Sequence, residues 1–294
     1  MFDLFVGIDW SGARGEFHRG ISVFAADAGD KTPEIIAPPY GANRWSRLAV
    51  VEYLRQMAKD RHVLAGIDFA FAHPYCDEGA YYPKTKMSPE NPRALWQMVD
   101  DLNQEHPHLY GGGIWDDPEI GPYYNAPVGR RGVLFSSRRR QTEHEARPVK
   151  FPSPTFNCVG PAGVGTGSLA GMRMLNLLAD EAHIWPFSDT SEMSARLTLV
   201  EIFPSYYFAS AGIRPINQQQ ATLPALNQAL AFYSSAPLDD ISHLGGPDAD
   251  DADALISAAA LRHHTNDDSV WQVPHEGAVE GWIFGVKSAS EKPW

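Results

Sequence analysis

The chain is poor in the residues from which covalent frameworks and soft-metal sites are built. It has 294 residues but only two cysteines, Cys76 and Cys158, so a disulfide framework and a four-thiolate zinc centre are both excluded. Its eleven histidines include no H-E-x-x-H or other paired-ligand spacing. No apolar run approaches the roughly 18 residues of a membrane-spanning helix, and no signal-peptide pattern opens the chain. A soluble, cytoplasmic protein with no membrane partner is expected. Positive charge is scarce too, with 24 Lys and Arg against 36 Asp and Glu and a net charge of −12. Such a surface does not coat nucleic acid as a whole, so any polyanion must meet a local basic patch.

Hydrophobic residues, in contrast, make up 44% and charged residues 20%, near the globular average, which excludes disorder and supplies a core. The 23 prolines and 25 glycines imply long ordered loops. FDLFVGID near the start is the nearly continuous apolar run of a central strand buried on both faces. RGISVFAA (19–26) and TPEIIAPP follow as second and third strands, separated by a glycine-containing loop. A helix is expected over 46–59 with Ser46 as cap, and a fourth strand within 62–74. LTLVEIFP (197–204) reads as the fifth, and 281–286 as a last strand or edge segment. Further helices are expected over 89–105, capped by Ser88, and over 168–182, 221–233 and 248–263. The stretch 75–167 is rich in Gly, Pro and Tyr, and reads as a loop-rich insertion within a single domain spanning 1–294.

Three segments place a carboxylate where the pattern is otherwise apolar. Asp9 closes the first strand in GIDWSG, Asp68 closes the fourth in GIDFAF, and Glu201 interrupts the fifth. The last helix opens with Asp248, Asp250, Asp251 and Asp253; Asp250 and Asp253, three apart, share a face. If the first and fourth strands are parallel neighbours, Asp9 and Asp68 sit side by side at the sheet edge where α/β proteins hold ligands. Clustered carboxylates repel unless a divalent cation neutralises them, and Mg²⁺ or Mn²⁺ prefers such oxygen ligands. Asp9, Asp68, Asp250 and Asp253 are therefore the candidate metal ligands and catalytic residues, with Glu201 a weaker catalytic candidate for outer-shell or direct ligation. Plainer roles compete. Aspartate after a strand often forms a turn, and aspartates at a helix start are favoured by capping and the dipole, which suffices for Asp248 and Asp251.

Residues 129–150 hold seven Arg and Lys against two Glu, a net of +5 in this acidic chain. Arginine forks suit phosphate oxygens, so Arg138, Arg139 and Arg140 are the candidate substrate-binding residues. GPAGVGTGSLAG (160–171) invites a phosphate-loop reading but lacks the P-loop lysine, and a flexible entry into the following helix is preferred. Trp45, Trp96, Trp115, Tyr123 and Tyr124 are suited to base stacking, although aromatics more often fill cores.

GIDWSG, GIDFAF, VEIFPS and DADDADALISAAAL together resemble the family called domain of unknown function 429, regarded as a predicted nuclease of ribonuclease H-like fold. The last helix also resembles that of RuvC-type resolvases, with two metal-binding aspartates in a D-x-x-D-A-L pattern that Asp250 and Asp253 match. Asp9 matches the first-strand aspartate; Asp68 stands where the resolvases carry Glu. The 75–167 region has no counterpart. The resemblance implies a mixed five-stranded sheet flanked by helices, a large insertion between the fourth and fifth strands, and Mg²⁺- or Mn²⁺-dependent hydrolysis of nucleic acid, DNA or RNA. An actin-like ATP-dependent phosphotransferase and a non-catalytic binding protein on the same fold stay open as alternatives.

Overall fold

The computed structural model describes all residues except 128, 161–162, 188–194, 214–221, 246–248 and 289–294. Asp248 lies outside the described residues, as do parts of the 160–171 glycine run. A mixed, mainly parallel six-stranded sheet forms the centre, with eight α-helices among the described residues. Strand β1 (Leu4–Asp9) is buried along its whole length. It pairs antiparallel with β2 (Ser22–Asp27) on one side and parallel with β4 (Val63–Ile67) on the other. β2 carries the short edge strand β3 (Glu34–Ile35). Beyond β4 lies β6 (Leu197–Glu201), then β5 (His183–Ile184), both parallel, giving the order β3-β2-β1-β4-β6-β5.

The sixth strand corrects the expected five. β5 has two residues, too short to show any alternation in sequence. The expected strand over 281–286 reduces to a single bridge from Ile283 to Glu201, with Phe284 N–H donating to the Glu201 carbonyl at 2.9 Å.

Two apolar layers cover the sheet. On one face α1 (Arg47–Ala58), α2 (Pro92–Asp101) and α4 (Val164–Leu178) bury Val51, Leu54, Leu95, Val99, Met172 and Leu175. Ser46 caps α1 as expected, accepting from Ala49 N–H at 3.1 Å. α2 starts three residues later than expected, because Asn91 rather than Ser88 takes the cap and Pro92 the first helical position. The 75–167 stretch also contains the short α3 (Gln141–Ala146), and its apolar side chains join the same core as β1. His73, Thr155, Tyr124 and Tyr82 link it internally by buried hydrogen bonds of 2.7–2.9 Å. Trp45, Trp96, Tyr123 and Tyr124 are core residues, the commoner of the two roles open to them, and do not present a base-stacking surface.

On the opposite face α5 (Pro204–Ser210), α6 (Leu223–Phe232) and α7 (Asp250–His264) pack together, with the short α8 (Gly277–Glu280) against α3. α7 lies closely on β1 because Gly7 has no side chain. A Cβ there would stand 2.2 Å from the Ala254 carbonyl oxygen and 2.6 Å from Ala258 N. The alanines of α7 and this glycine bring the helix backbone onto the sheet, which carries its acidic first turn toward the end of β1. No described helix is long and apolar enough to cross a membrane.

Candidate active site

The parallel register of β1 and β4 runs from Leu4 opposite Val63 to Ile8 opposite Ile67. Asp68 N–H then donates to the Ile8 carbonyl at 3.0 Å, so Asp9 and Asp68 leave adjacent strands at the same level. Glu201, paired with Ile67, ends the next strand along. Asp9, Asp68, Glu201 and Asp250 all line one cleft of about 810 Å³, at the carboxyl edge of the parallel strands.

The motifs around these acids have steric reasons as well. A Cβ on Gly12 would lie 2.3–2.4 Å from backbone atoms of Thr166 and Gly167, so the turn after β1 is pressed onto the first turn of α4. Trp10 Nε1 donates to the Gly167 carbonyl at 3.2 Å. The second motif docks on the same helix: the Phe69 ring occupies the place a side chain at position 171 would need. Ala70 N–H donates to Ser168 Oγ at 3.1 Å. α4 is therefore the common backing for both strand ends, and its Gly165 and Gly171 are close-packing residues.

The electrostatics divide the acids into two groups. Asp9 is pushed well up from the ordinary carboxyl range, first by burial, then by the charges of Asp253, Asp68 and Asp250, and by a hydrogen bond to Asp250. Burial, then Asp68 and Asp250, push Asp253 well up. Burial, then Glu201, push Asp68 up to about 7. Asp9, Asp68, Asp250 and Asp253 thus act on one another. Asp251, between them, does something else: its Oδ1 accepts from Ser22 Oγ and its Oδ2 from Gly245 N–H, both at 2.6 Å. It ties the loop before α7 to β2.

Glu201 belongs to the second group. Arg140 grips it bidentately, Nη2 to Oε1 at 2.5 Å and Nη1 to Oε2 at 2.7 Å, and Phe71 N–H donates to Oε2 at 3.0 Å. Direct metal ligation by Glu201 gives way here to a buried ion pair. The same guanidinium donates from Nε to Glu143 Oε1 at 2.9 Å, placing one cation between two buried carboxylates.

This overturns the expected role of Arg138 and Arg140. Both are buried, and their donors are spent inside the protein. Arg138 binds Asp77 through Nε and Nη2 at 2.9 and 2.5 Å, and donates to the carbonyls of Tyr81, Pro74 and Ala80 at 2.7–3.0 Å. It is the clamp of the 74–81 loop. Arg139 is less buried, but its guanidinium lies 3.8 Å from the centre of the Phe151 ring and donates to the Pro152 carbonyl. The net +5 of the segment therefore reports internal neutralisation more than a binding surface.

Sequence reasoning missed Glu143, counted there only against the arginines, although its three-residue spacing from Arg140 was a readable pairing signal. It counted Lys150 in the basic segment without singling it out; Lys150 lines the cleft and has no ion-pair partner among the described residues.

Among the described residues no group of three or more His, Cys, Asp or Glu is arranged to hold a metal ion as it stands. The donor chemistry of the four aspartates is nonetheless that of a hard divalent cation: oxygen only, and mutually repelling. No protein-family model, no curated protein and no solved structure matches the chain.

Proposed function

We propose that this protein is a divalent-cation-dependent phosphodiester hydrolase of ribonuclease H-like architecture that acts on nucleic acid. The observation that carries the reading is the convergence of Asp9, Asp68 and Asp250 on one cleft, with Asp253 acting electrostatically on the same group. The strand order and the antiparallel second strand support the architecture, as does the resemblance of the four motifs to those of the domain of unknown function 429 family. Asp9, Asp68, Asp250 and Asp253 would hold Mg²⁺ or Mn²⁺, exchanging the Asp9–Asp250 hydrogen bond for contact with the ion. Such ions, when bound, activate water and stabilise a leaving oxygen.

The chain's own residues supply the rest. α7 and the two strand ends orient the carboxylates. Lys150, with the first turn of α4 at Val164, Thr166 and Gly167, gives the cleft wall its positive side. That wall takes over the phosphate-holding role first expected of the arginines.

A Mn²⁺-dependent cleavage panel over single-stranded, double-stranded, hybrid and branched DNA and RNA tests the reading, with Asp9→Asn as control. Cleavage by the wild type and loss in the variant is the expected result, and the panel assigns DNA or RNA. ATP binding without cleavage would instead point to a phosphotransferase, and absence of divalent-ion binding to a non-catalytic protein.

A further inference from the structure

Glu143 is fully buried on α3, yet it lines the same cleft as Asp9, Asp68 and Asp250. Its Oε1 accepts from Arg140. Its Oε2 has no hydrogen-bond partner among the described residues and lies 3.8 Å from Arg139 Nη1. Arg140 must satisfy Glu201 as well, and it gives Glu201 two donors and Glu143 one. One buried cation between two buried carboxylates leaves an excess negative charge, and a proton on the less well-held carboxyl removes it. Oε2 of Glu143 is the oxygen that can carry this proton.

We propose that Glu143 is a catalytic residue of the cleft, the general acid that protonates the leaving oxygen; this rests on the phosphodiesterase reading above. Water oxygen forms the new bond to phosphorus as the bond from phosphorus to the leaving oxygen breaks. The leaving oxygen takes the Oε2 proton, Glu143 remains as a carboxylate paired with Arg140, and the attacking water releases its proton to solvent. Glu143 regains a proton from solvent, so one water is consumed and an alcohol and a phosphomonoester are released. The charges acting on Glu143 are Arg140 and Arg139, just before its own helix, and Glu201 from β6; Lys150 and Asp68 line the same cleft, and Glu280 of α8 accepts from Gln141 N–H at the start of α3. Burial is the largest influence and pushes its carboxyl up to about 7, against the opposing pull of Arg140. General acids work best with such values near the working pH.

The test has two arms. In an infrared pH titration of the metal-free protein, the difference between wild type and Glu143→Gln should contain one protonated-carboxyl band that is lost near neutrality, apart from the aspartate bands common to both proteins. Glu201→Gln, by removing one negative neighbour, should move that midpoint down. A difference spectrum without that band, or a midpoint of that band unmoved by Glu201→Gln, overturns the protonation. In the second arm, Mn²⁺-dependent hydrolysis is measured on DNA or RNA and on bis(4-nitrophenyl) phosphate, whose leaving group needs no proton. Glu143→Gln should lose about 10²–10⁴-fold on nucleic acid, lose the alkaline limb of the pH profile, and keep most activity on the nitrophenyl ester. Equal loss on both substrates overturns the role of Glu143 alone. A wild type that cleaves neither overturns the hydrolase reading, while the infrared arm still decides where the proton sits.

Discussion

Two sets of buried carboxylates face the same cleft and are stabilised in opposite ways. Glu201 and Glu143 share Arg140, so one of their two charges is answered from within the chain. Burial and neighbouring carboxylates raise the pKa of Asp9, Asp68 and Asp253, so their charge is answered by protons or by something brought from outside. A protein that needed only stability could have placed an arginine among the aspartates, as it did 61 residues along the chain from Arg140 at Glu201. The like-charged set is the part of the cleft that the fold does not explain, and for that reason it carries the functional reading.

The largest effect should come from breaking the neutralised set. Arg140→Ala leaves Glu201 and Glu143 buried without their cation, and removal of one partner from such a buried pair costs about 3–5 kcal/mol. Denaturant unfolding of the variant should show a loss of that order. Arg140→Lys should recover part of it, since an ammonium cannot reproduce the bidentate fork.

The like-charged set should respond in the opposite sense. Asp9→Asn removes one of several repelling carboxyls, so stability of the metal-free protein should hold or rise. Mn²⁺-dependent cleavage should fall by more than the about 10–100-fold that outer-shell changes around metals cost. The pH dependence carries the same signature. The Asp68 carboxyl sits at about 7 in the fold against an ordinary 3.8, so the folded state holds its proton more tightly than the unfolded chain. Its stabilising contribution is complete below about 3.8 and is lost as pH rises through about 7. Melting temperature against pH should fall across that window, less steeply in Asp68→Asn, and Mn²⁺ should restore most at the alkaline end.

Geometry joins the two strand ends to α7, and Gly7 is where it can be disturbed. In Gly7→Ala a methyl group would meet helix backbone at 2.2 Å, which no rotamer change relieves. Overpacking of this kind costs about 1–3 kcal/mol, occasionally more. Because the helix must shift, ion affinity should fall as well, measured by calorimetric titration with Mn²⁺. Gly171→Ala, against the Phe69 ring, should cost less, since a side chain can yield where backbone cannot.

These particulars show what was legible in the sequence. Asp9, Asp68, Asp250 and Asp253 could be found because each interrupts an apolar pattern at the end of an element, and position along an element is what periodicity reports. The parallel pairing of β1 and β4 stood in the sequence only as a condition, which the register from Leu4 opposite Val63 to Ile8 opposite Ile67 fulfils. Arg138, Arg139 and Arg140 misled because net charge of a segment says nothing about the direction of its side chains: Asp77 and Glu201 lie 61 residues away in either direction. β5 was invisible because two residues have no period. The Arg140–Glu143 pair, three residues apart, was readable; what the sequence hides is that Glu201 claims the same guanidinium.

The smallest effect separates the two sources of positive charge. Lys150 is half-buried, lines the cleft, and has no ion-pair partner among the described residues. Arg138 and Arg140 have neither spare donors nor exposure. Counterion release makes each phosphate contact worth about 0.9 in the log–log salt slope on duplex DNA and about 0.7 on single strands. Lys150→Ala should therefore flatten the slope by about one contact, weaken binding evenly across sequences, and leave Mn²⁺ affinity almost unchanged. Arg139→Ala should lose the Phe151 stack with little change in slope, because its guanidinium is already laid over the ring and bonded to Pro152. Binding isotherms in rising salt decide between them. A slope that drops with Arg139→Ala and stays with Lys150→Ala would move the phosphate-facing wall from the α4 side of the cleft to the outer face of α3, and the path of the strand across the aspartates would have to be redrawn with it.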